Sequence, residues 1–580
     1  MRVNNYWSLV EKVVWERNRR KTIRYRFFED LWEKIDENFS LIVLRAPTGS
    51  GKTEATITPF LSDLRKGEQR WLSLIHVLPT RSLVDSMKHR HAETIDILKL
   101  KYVTVTHDYG HLFAIKPYLD GDLVVTTYDT MLYRFYGSDL RDFHILAPLS
   151  KLANSLVVLD EVQLLQDQYW YAMSVLPSHI AALIKWRSQV ILMTATLPDV
   201  VFNEISSILR SHNGSQKVAL VDAEDKPAKG HIDIRIEREK LPTSAEELLT
   251  IIKEFDDGHG SILVILNTVE KAANTFFSLY SLYVKSKIDV RPLLLHSRLR
   301  LGVRKSLETL LDSKRNQRFL LVATQVVEAG LDLDVSLLLT EVSPIDSLIQ
   351  RLGRCARRAS GVAIIYSPSE ETTKVYPEKL VKITENLIRS ETELLRESFT
   401  SIQAAQTLID TVYNEQIINS LRSANISVRK SIEEVREWIH KYWIYEGKIG
   451  ATVAHRLFEP LLRLGMELLC YCPTNEEYQK LLEEENIRIT LSEFESRLIR
   501  LTVKSTEQER VIDVLKMPAI LHEKQGEFFY VLLELSFMRG NNLLEIKPVR
   551  HGVPPNYSCL LYTSDAADEL DGVDLGGRRI

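Results

Sequence analysis

Between residues 41 and about 365 the chain is punctuated by short runs with almost no polar side chain, each followed by a longer polar or helix-like stretch. The first series is LIVL (41–44), LSLIHVL (72–78), YVTVT (102–106), DLVVTT (122–127), SLVVLD (155–160) and VILMTA (190–195). Runs this short, apolar throughout rather than at alternate positions, read as strands buried on both faces, the mark of a parallel sheet covered by helices. A second series follows: IDIRIER (232–238), SILVIL (261–266), VRPLLLH (290–296), RFLLVAT (318–324), VSLLLTEV (335–342) and GVAIIYS (361–367). Two consecutive doubly wound α/β domains are therefore expected, joined near 221–231, where VDAEDKPAKGH interrupts the pattern with charge, Pro and Gly.

A chain of 580 residues is too long for one core. After about residue 370 the character changes to amphipathic stretches such as VKITENLIRSETELLRESF and SIEEVREWIHKYWIY, which predict helices. IRITLSEFESRLIRLTV and EFFYVLLELSF point to a small mixed domain beyond them. The expected division is lead-in helices over 1–36, α/β domains over 37–225 and 226–368, a mainly helical linker over 369–480 and a C-terminal accessory domain over 481–558. The last 22 residues, CLLYTSDAADELDGVDLGGRRI (559–580), resemble a sequencing adapter translated in frame and are set apart from fold reasoning. Without their five acids and two arginines the formal net charge moves from −4 to −1, which neither favours nor excludes a nucleic-acid groove, since a groove needs only local positive charge.

No run of eighteen apolar residues is present, so no membrane span is expected, and the N-terminus lacks the order of a signal peptide. A cytoplasmic protein is the expectation. Cys355, Cys470, Cys472 and Cys559 are too few and too badly spaced for a disulfide framework or a zinc site.

Directly after the strand LIVLR comes APTGSGKT, at 46–53. This is the phosphate-binding loop with Ala46 in place of its first glycine. The loop of Ala46, Pro47, Thr48, Gly49, Ser50 and Gly51 would surround phosphate, with Gly49 and Gly51 letting backbone N–H groups wrap closely around it, Lys52 would carry positive charge to it, and Thr53 would turn its hydroxyl to Mg²⁺. The pair Asp160 and Glu161 closes the strand SLVVL, where unpaired charge would be costly. Ligands of open α/β sheets bind outside the carboxyl ends of their strands, so both acids would face the phosphate crevice. Asp160 would then hold Mg²⁺, and Glu161 would orient and polarise the attacking water.

The motifs that follow resemble those of superfamily 2 helicases, over roughly residues 22–367. LPTRSL (78–83), VTTYDT (125–130) and MTATLP (193–198) look like first-domain motifs, while LNTVEKA (266–272), HSRL (296–299), ATQVVEAGLDLD (323–334) and QRLGRCARR (350–358) look like those of the second. The resemblance implies two tandem RecA-like domains and use of ATP with Mg²⁺. It implies that Gln350, Arg354 and Arg357, with Arg351, line the nucleotide cleft, that Arg354 and Arg357 are arginine fingers, and that Gly330 and Asp332 belong to the nucleotide site. Thr194 and Thr196 would link nucleotide state to the nucleic acid. Thr80, Arg81, Thr127, His296, Ser297, Thr324 and Gln325 would hold the phosphate–sugar backbone of a strand without reading its sequence.

Gln163, in the box DEVQ, narrows the resemblance. DEVQLL with APTGSGKTEA, LPTRSLVDSM and QRLGRCAR is similar to the CRISPR-associated helicase of type I systems. That family implies movement from 3′ to 5′ on single-stranded DNA after recruitment by a crRNA-guided surveillance complex. Many members carry an N-terminal HD nuclease; only 45 residues precede the phosphate loop, so the cutting activity is expected on a separate HD subunit or domain. The one HD dipeptide, His107–Asp108, is read as a loop and not a metal site. The lead-in TIRYRFFEDLW (22–32) stands where an adenine-recognising glutamine is usual but has none, leaving Arg24, Tyr25 or Phe27 to meet the base. Two other readings stay open: an RNA-remodelling DEAD-box-like helicase, and an ATP-gated nucleic-acid-binding scaffold without productive hydrolysis.

Overall fold

The computed structural model describes residues 2–19, 23–47, 49–109, 118–136, 146–167, 169–212, 217–223, 230–256, 258–313, 317–328, 330–357, 359–445, 466–482, 487–503, 519–524, 527–537 and 543–549. It separates into two compact units, one of Met1–Ala228, Pro344–Gly353 and Tyr376–Arg463, the other of Lys229–Ser343, Arg354–Val375 and Leu464–Ile580.

The apolar runs of the first series form one sheet: β1 (Leu41–Arg45), β2 (Leu74–Leu78), β3 (Val105–Asp108), β4 (Leu123–Thr127), β5 (Leu156–Leu159), β6 (Gln189–Thr194) and β7 (Val218–Asp222). Their order is β3-β4-β2-β5-β6-β1-β7, and every pairing is parallel. Strands β1, β2, β4, β5 and β6 are buried along their whole length, which is why they read as unbroken apolar runs. Two differences from expectation appear at the sheet edges. KVALVD supplies a seventh strand that the sequence pattern did not single out. His107 and Asp108, expected in a loop, continue edge strand β3, where the Asp108 carboxylate accepts from Arg134 Nε at 3.1 Å and from the Leu119 amide at 3.2 Å.

Helices α1 (Arg2–Asn18) and α2 (Arg26–Asp36) belong to this unit's core: Trp7, Phe27, Phe28, Trp32 and Ile35 cluster with residues of β1, β2 and β5. The sheet is wrapped by α3 (Lys52–Lys66), α4 (Arg81–Leu98), α5 (Tyr128–Phe135), α6 (Leu146–Leu152), α7 (Tyr171–Lys185) and α8 (Asp199–His212).

The second series forms a six-stranded sheet, again all parallel, ordered β10-β11-β9-β12-β13-β8: β8 (Ile232–Lys240), β9 (Ile262–Ile265), β10 (Pro292–Leu295), β11 (Leu320–Ala323), β12 (Leu337–Glu341) and β13 (Gly361–Ser367). It carries α9 (Ala245–Phe255), α10 (Val269–Val284) and α11 (Leu301–Ser313). The short helix α12 (Ile345–Leu352) follows β12 in the chain but groups with the first unit. The two sheets give two RecA-like domains, as expected.

A helical stretch follows, α13 (Glu378–Ser390), α14 (Thr392–Glu397), α15 (Ile402–Val412), α16 (Glu415–Ser423) and α17 (Ile426–Trp438). A small C-terminal β-rich domain holds β14 (Met466–Tyr471), β15 (Ile487–Thr490), β16 (Leu498–Val503), β17 (Ala519–Lys524), β18 (Glu527–Phe537) and β19 (Leu543–Val549), with α18 (Asn475–Leu482) and α19 (Leu491–Ser496). The expected adapter-like segment 559–580 lies outside the described residues.

Aromatic contacts help fasten the helical stretch to the first α/β domain, beside the ion pairs of Arg422 and Arg436 with Glu204. Trp443, just past α17 and 1% exposed, lies 4.8 Å from Tyr136 at 82° and 5.2 Å from Phe135, edge-on and tilted contacts that add to the area they bury. Trp443→Ala is therefore expected to cost about 3–5 kcal/mol; a lowered urea midpoint followed by near-UV circular dichroism checks it.

Candidate nucleotide site

Three loops meet at the carboxyl ends of β1, β6 and β5, which are neighbours in that order. Gly49 and Gly51 adopt φ of +76° and +89°, in the left-handed region that favours glycine. A side chain at Gly51 would also meet Phe28 at 3.0 Å, so the aromatic ring of α2 and the bend of the loop both require a bare backbone there. Gly51 caps α3, leaving first-turn N–H groups without a side-chain partner, the arrangement that binds anions. Lys52 is buried, its Nζ 2.8 Å from the Ala46 carbonyl, and Thr53 is buried next to it. Ser50 Oγ donates to the Pro47 carbonyl at 2.8 Å, and the Ala46 amide donates to the Thr194 carbonyl at 3.0 Å, tying the loop to β6. Thr48 lies outside the described residues.

Asp160 and Glu161 end β5. Asp160 Oδ1 accepts the Glu161 amide at 2.9 Å, and its backbone carbonyl accepts the Tyr128 hydroxyl at 2.9 Å. Glu161 sits at φ +51°, a costly conformation for a residue with a side chain and one that recurs at functional sites. Gln163, 2% exposed, bridges two motifs within this unit: its amide donates to Glu161 Oε2, and its Oε1 accepts the Thr194 hydroxyl at 2.7 Å. Thr194 Oγ1 in turn accepts the Thr196 amide at 3.0 Å. Every donor in this chain has one direction, which fixes the orientation of the glutamine amide.

Hard oxygen donors, one carboxylate and one hydroxyl, beside an ammonium and free helix N–H groups fit a phosphate-bound Mg²⁺, which keeps several waters and needs few protein ligands. Among the described residues no group of three or more His, Cys, Asp or Glu is placed to hold a metal ion by protein ligands alone.

The strand-contact candidates come in spatial pairs. Thr80 caps α4 after β2, and Thr127 caps α5 at the end of β4, with Leu78 and Thr127 in register on adjacent strands. Arg81 opens α4 with its guanidinium 5.5 Å from the Tyr109 ring centre. In the second unit His296 and Thr324 follow β10 and β11, also adjacent; both are buried, whereas Ser297 and Gln325 are exposed. His296 Nδ1 accepts the Arg298 amide at 3.1 Å, and burial, with Arg298 and Arg304 nearby, pushes the ring down to about 4.

The motif around 350–357 is divided between the units. Gln350 and Arg351 lie on α12 in the first; Gln350 is buried with neither amide atom hydrogen-bonded, and Arg351 donates to the Tyr376 hydroxyl at 3.1 Å. Arg354 and Arg357 lie in the second. Arg354 is buried and donates to the carbonyls of Leu331 and Glu328, while Arg357 pairs with Asp332 at 2.9 Å and its amide donates to Asp334. Gly330, at φ +88°, bends the same loop. The structure thus gathers Arg354, Arg357, Gly330 and Asp332, and engages both guanidinium groups within their own unit. In the adenine region, Arg24 pairs with Glu29 and lies over Trp7, and the Tyr25 ring stacks on Phe27.

Long-range partners escaped the sequence reading. Glu54, next to Thr53, is buried between Arg17 of α1 and Arg90 of α4 at 2.7 and 2.6 Å. Burial alone would raise its pKa; the two guanidiniums outweigh that and hold it below the usual carboxylate range. Beside Arg90, His91 is fully buried, and burial together with His76, Arg90 and Arg17 holds it well below the usual imidazole range, so it is neutral. From the helical stretch, α15 reaches the same region: Gln406 Nε2 donates to the Leu197 carbonyl at 2.9 Å, and Tyr413, whose hydroxyl also reaches buried Asp346, donates to Gln166 at 2.9 Å. Only motif spacing was legible locally; these pairs join residues far apart in the chain.

Two RecA-like sheets, a glycine-bent phosphate loop and a DExx box at the same strand ends define an ATP-binding protein of the superfamily 2 helicase class. The DEAD/DEAH box helicase family matches residues 29–204, and the family described as CRISPR-associated nuclease/helicase Cas3, C-terminal, matches 258–360. The chain is 29% identical over 411 residues to the CRISPR-associated helicase Cas3 of Thermoproteus tenax, covering 68% of this chain and 67% of that one. It spans 46% of the CRISPR-associated nuclease/helicase Cas3 of Methanothermobacter thermautotrophicus. The crystal structure of T. fusca Cas3-AMPPNP superposes with a TM-score of 0.64 at 19% identity, over 83% of this chain and 64% of that one. A chain of a CRISPR RNA-guided surveillance complex, pre-nicking, gives 0.52 at 21% identity, over 83% and 63%. The chain belongs to the superfamily 2 helicases and is closely related to the CRISPR-associated Cas3 helicases.

The Arg17–Glu54–Arg90 cluster yields a signed expectation. Glu54→Gln leaves two cations short of their partner and should cost about 3 kcal/mol at pH 7. Because the folded pKa of Glu54 is depressed, that stabilisation is complete above the ordinary glutamate value of about 4.3 and is lost as pH falls through the folded value. Urea midpoints of wild type and variant should differ at pH 7 and converge in acid.

Proposed function

We propose that this chain is an ATP-dependent DNA translocase of type I CRISPR interference, moving 3′ to 5′ on single-stranded DNA and unwinding target DNA opened by a crRNA-guided surveillance complex. The observation that carries the nucleotide half of this reading is the placing of Lys52 and Thr53, of Thr194, and of Asp160, Glu161 and Gln163 after three neighbouring strands, β1, β6 and β5. The CRISPR half is supported by the family matches, by the Thermoproteus tenax relative and by the likeness to a chain of a surveillance complex.

The residues divide the work. Backbone amides of Gly49, Gly51 and the start of α3 cradle the phosphates, and Lys52, released from the Ala46 carbonyl, neutralises charge on them. Thr53 and Asp160 would hold Mg²⁺, which would supply positive charge against the charge developing on the phosphates. Glu161 takes a proton from the attacking water, its carboxylate aimed by Gln163. Thr194 and Thr196 pass the position of that carboxylate to the loop before α8. Arg354 and Arg357 supply cationic stabilisation once freed from the Leu331 carbonyl and Asp332. Strand contacts from Thr80, Arg81, Thr127, His296, Ser297, Thr324 and Gln325 go to phosphate and sugar, so DNA would be held without regard to sequence.

ATPase rates with no nucleic acid, single-stranded DNA or RNA, beside displacement of a strand from a 3′-overhang duplex, test the reading. Stimulation by DNA with displacement is expected. Stimulation by RNA alone selects the RNA-remodelling alternative, and nucleotide-gated binding without hydrolysis selects the scaffold. Glu161→Gln should retain nucleotide binding and lose turnover by about a hundredfold or more; unchanged turnover removes Glu161 from its role.

A further inference from the structure

Two imidazoles lie in the apolar body of the first sheet with no part in the reading above. His76 stands in the middle of β2 with Val125 and Val158 as its register partners on either side, and His91 lies on the buried face of α4. Both are 0% exposed. His76 Nδ1 is 2.9 Å from His91 Nε2, and His76 Nε2 is 3.3 Å from Asp160 Oδ2. An apolar side chain would occupy the His76 position, between two valines, without a polar group to satisfy.

The proton positions follow from the partners. A carboxylate only accepts, so His76 carries its proton on Nε2 and directs it at Asp160. In the neutral tautomer of His76 its Nδ1 is then an acceptor, so His91 donates from Nε2 and is left with a bare Nδ1. That atom is buried with no hydrogen-bond partner, the end of a line that runs only toward Asp160. At the other end, Asp160 Oδ1 is held by the Glu161 amide at 2.9 Å. Two donors, one on each oxygen, set the plane of the carboxylate and leave a lone pair on each for solvent or metal.

We propose that His76 is a positioning residue for the metal-binding carboxylate Asp160, with His91 holding His76 in the donating tautomer. The proposal rests on the assignment of Asp160 as the Mg²⁺ ligand. Partners behind a metal ligand orient it, and their loss typically weakens metal affinity or activity about 10–100-fold.

The test uses the full chain with AMPPNP and Mn²⁺ as a spectroscopic stand-in, reading metal affinity by electron paramagnetic resonance with no turnover. His76→Leu should weaken Mn²⁺ binding about tenfold or more, and should raise by a similar factor the Mg²⁺ concentration that half-saturates ATPase. His76→Gln, whose amide can donate from the place of Nε2, should restore affinity to within about threefold of wild type, a rescue that a space-filling role would not give. Wild-type affinity in His76→Leu overturns the proposal, as does equal loss in His76→Leu and His76→Gln with both folded. If neither His76 variant folds, His91→Leu decides: a loss of about threefold or more supports the line, and wild-type affinity overturns it. Asp160→Asn separates the two levels. If it binds Mn²⁺ as wild type does, the metal assignment itself fails; if it loses binding while His76→Leu does not, only the positioning role fails.

Discussion

Parallel strands with both faces covered leave little room for charge along their length, so the phosphate loop and the acid pair of this protein sit where strands end. The first sheet shows the rule in its sharpest form. Five of its strands are buried throughout, and the phosphate loop, the Asp160–Glu161 pair and the Thr194 hydroxyl occupy three neighbouring carboxyl ends. Once the strand order is set, these groups cannot avoid one another. The chemistry is a by-product of a hydrophobic constraint as much as of the individual side chains.

Around that edge the polar groups are organised as directed lines rather than as isolated contacts. One runs from Thr196 through Thr194 and Gln163 to Glu161; another runs from His91 through His76 to Asp160. Helix α4 serves the site twice, since Arg90 grips Glu54 behind the phosphate loop while His91, the next residue, faces His76. A rigid helix with consecutive residues committed to the two halves of one site keeps their spacing fixed, which is what a precise constellation requires.

Much of this was legible in the sequence. The apolar runs gave the strands because burial on both faces suppresses alternation, and APTGSGKT and DEVQ could be placed because their residues act within a few positions of each other. What stayed hidden has a common physical cause. Arg17, Glu54 and Arg90 are charges whose partners lie in three different helices, and no local pattern marks them as a set. His76 sits inside a run that reads as strand regardless of its imidazole. Strand β7 lies at the sheet edge with only alternate residues buried, and the extension of β3 through His107 and Asp108 depends on its pairing with β4. Gln163 stands two residues from Glu161, but its other partner, Thr194, lies 31 residues along the chain.

The two N-terminal helices carry a practical consequence for anyone cutting the chain. Trp7 and Trp32 each pack edge to face on Phe28, Trp32 Nε1 donates to the Ala55 carbonyl in α3 at 2.8 Å, and the Phe28 ring stands where a side chain at Gly51 would go. A shortened protein that begins at the first strand would uncover a continuous aromatic face and strip the support from the loop in the same step. Poor solubility of such a fragment in recombinant production would then reflect a missing part of the core, not an unstable helicase fold.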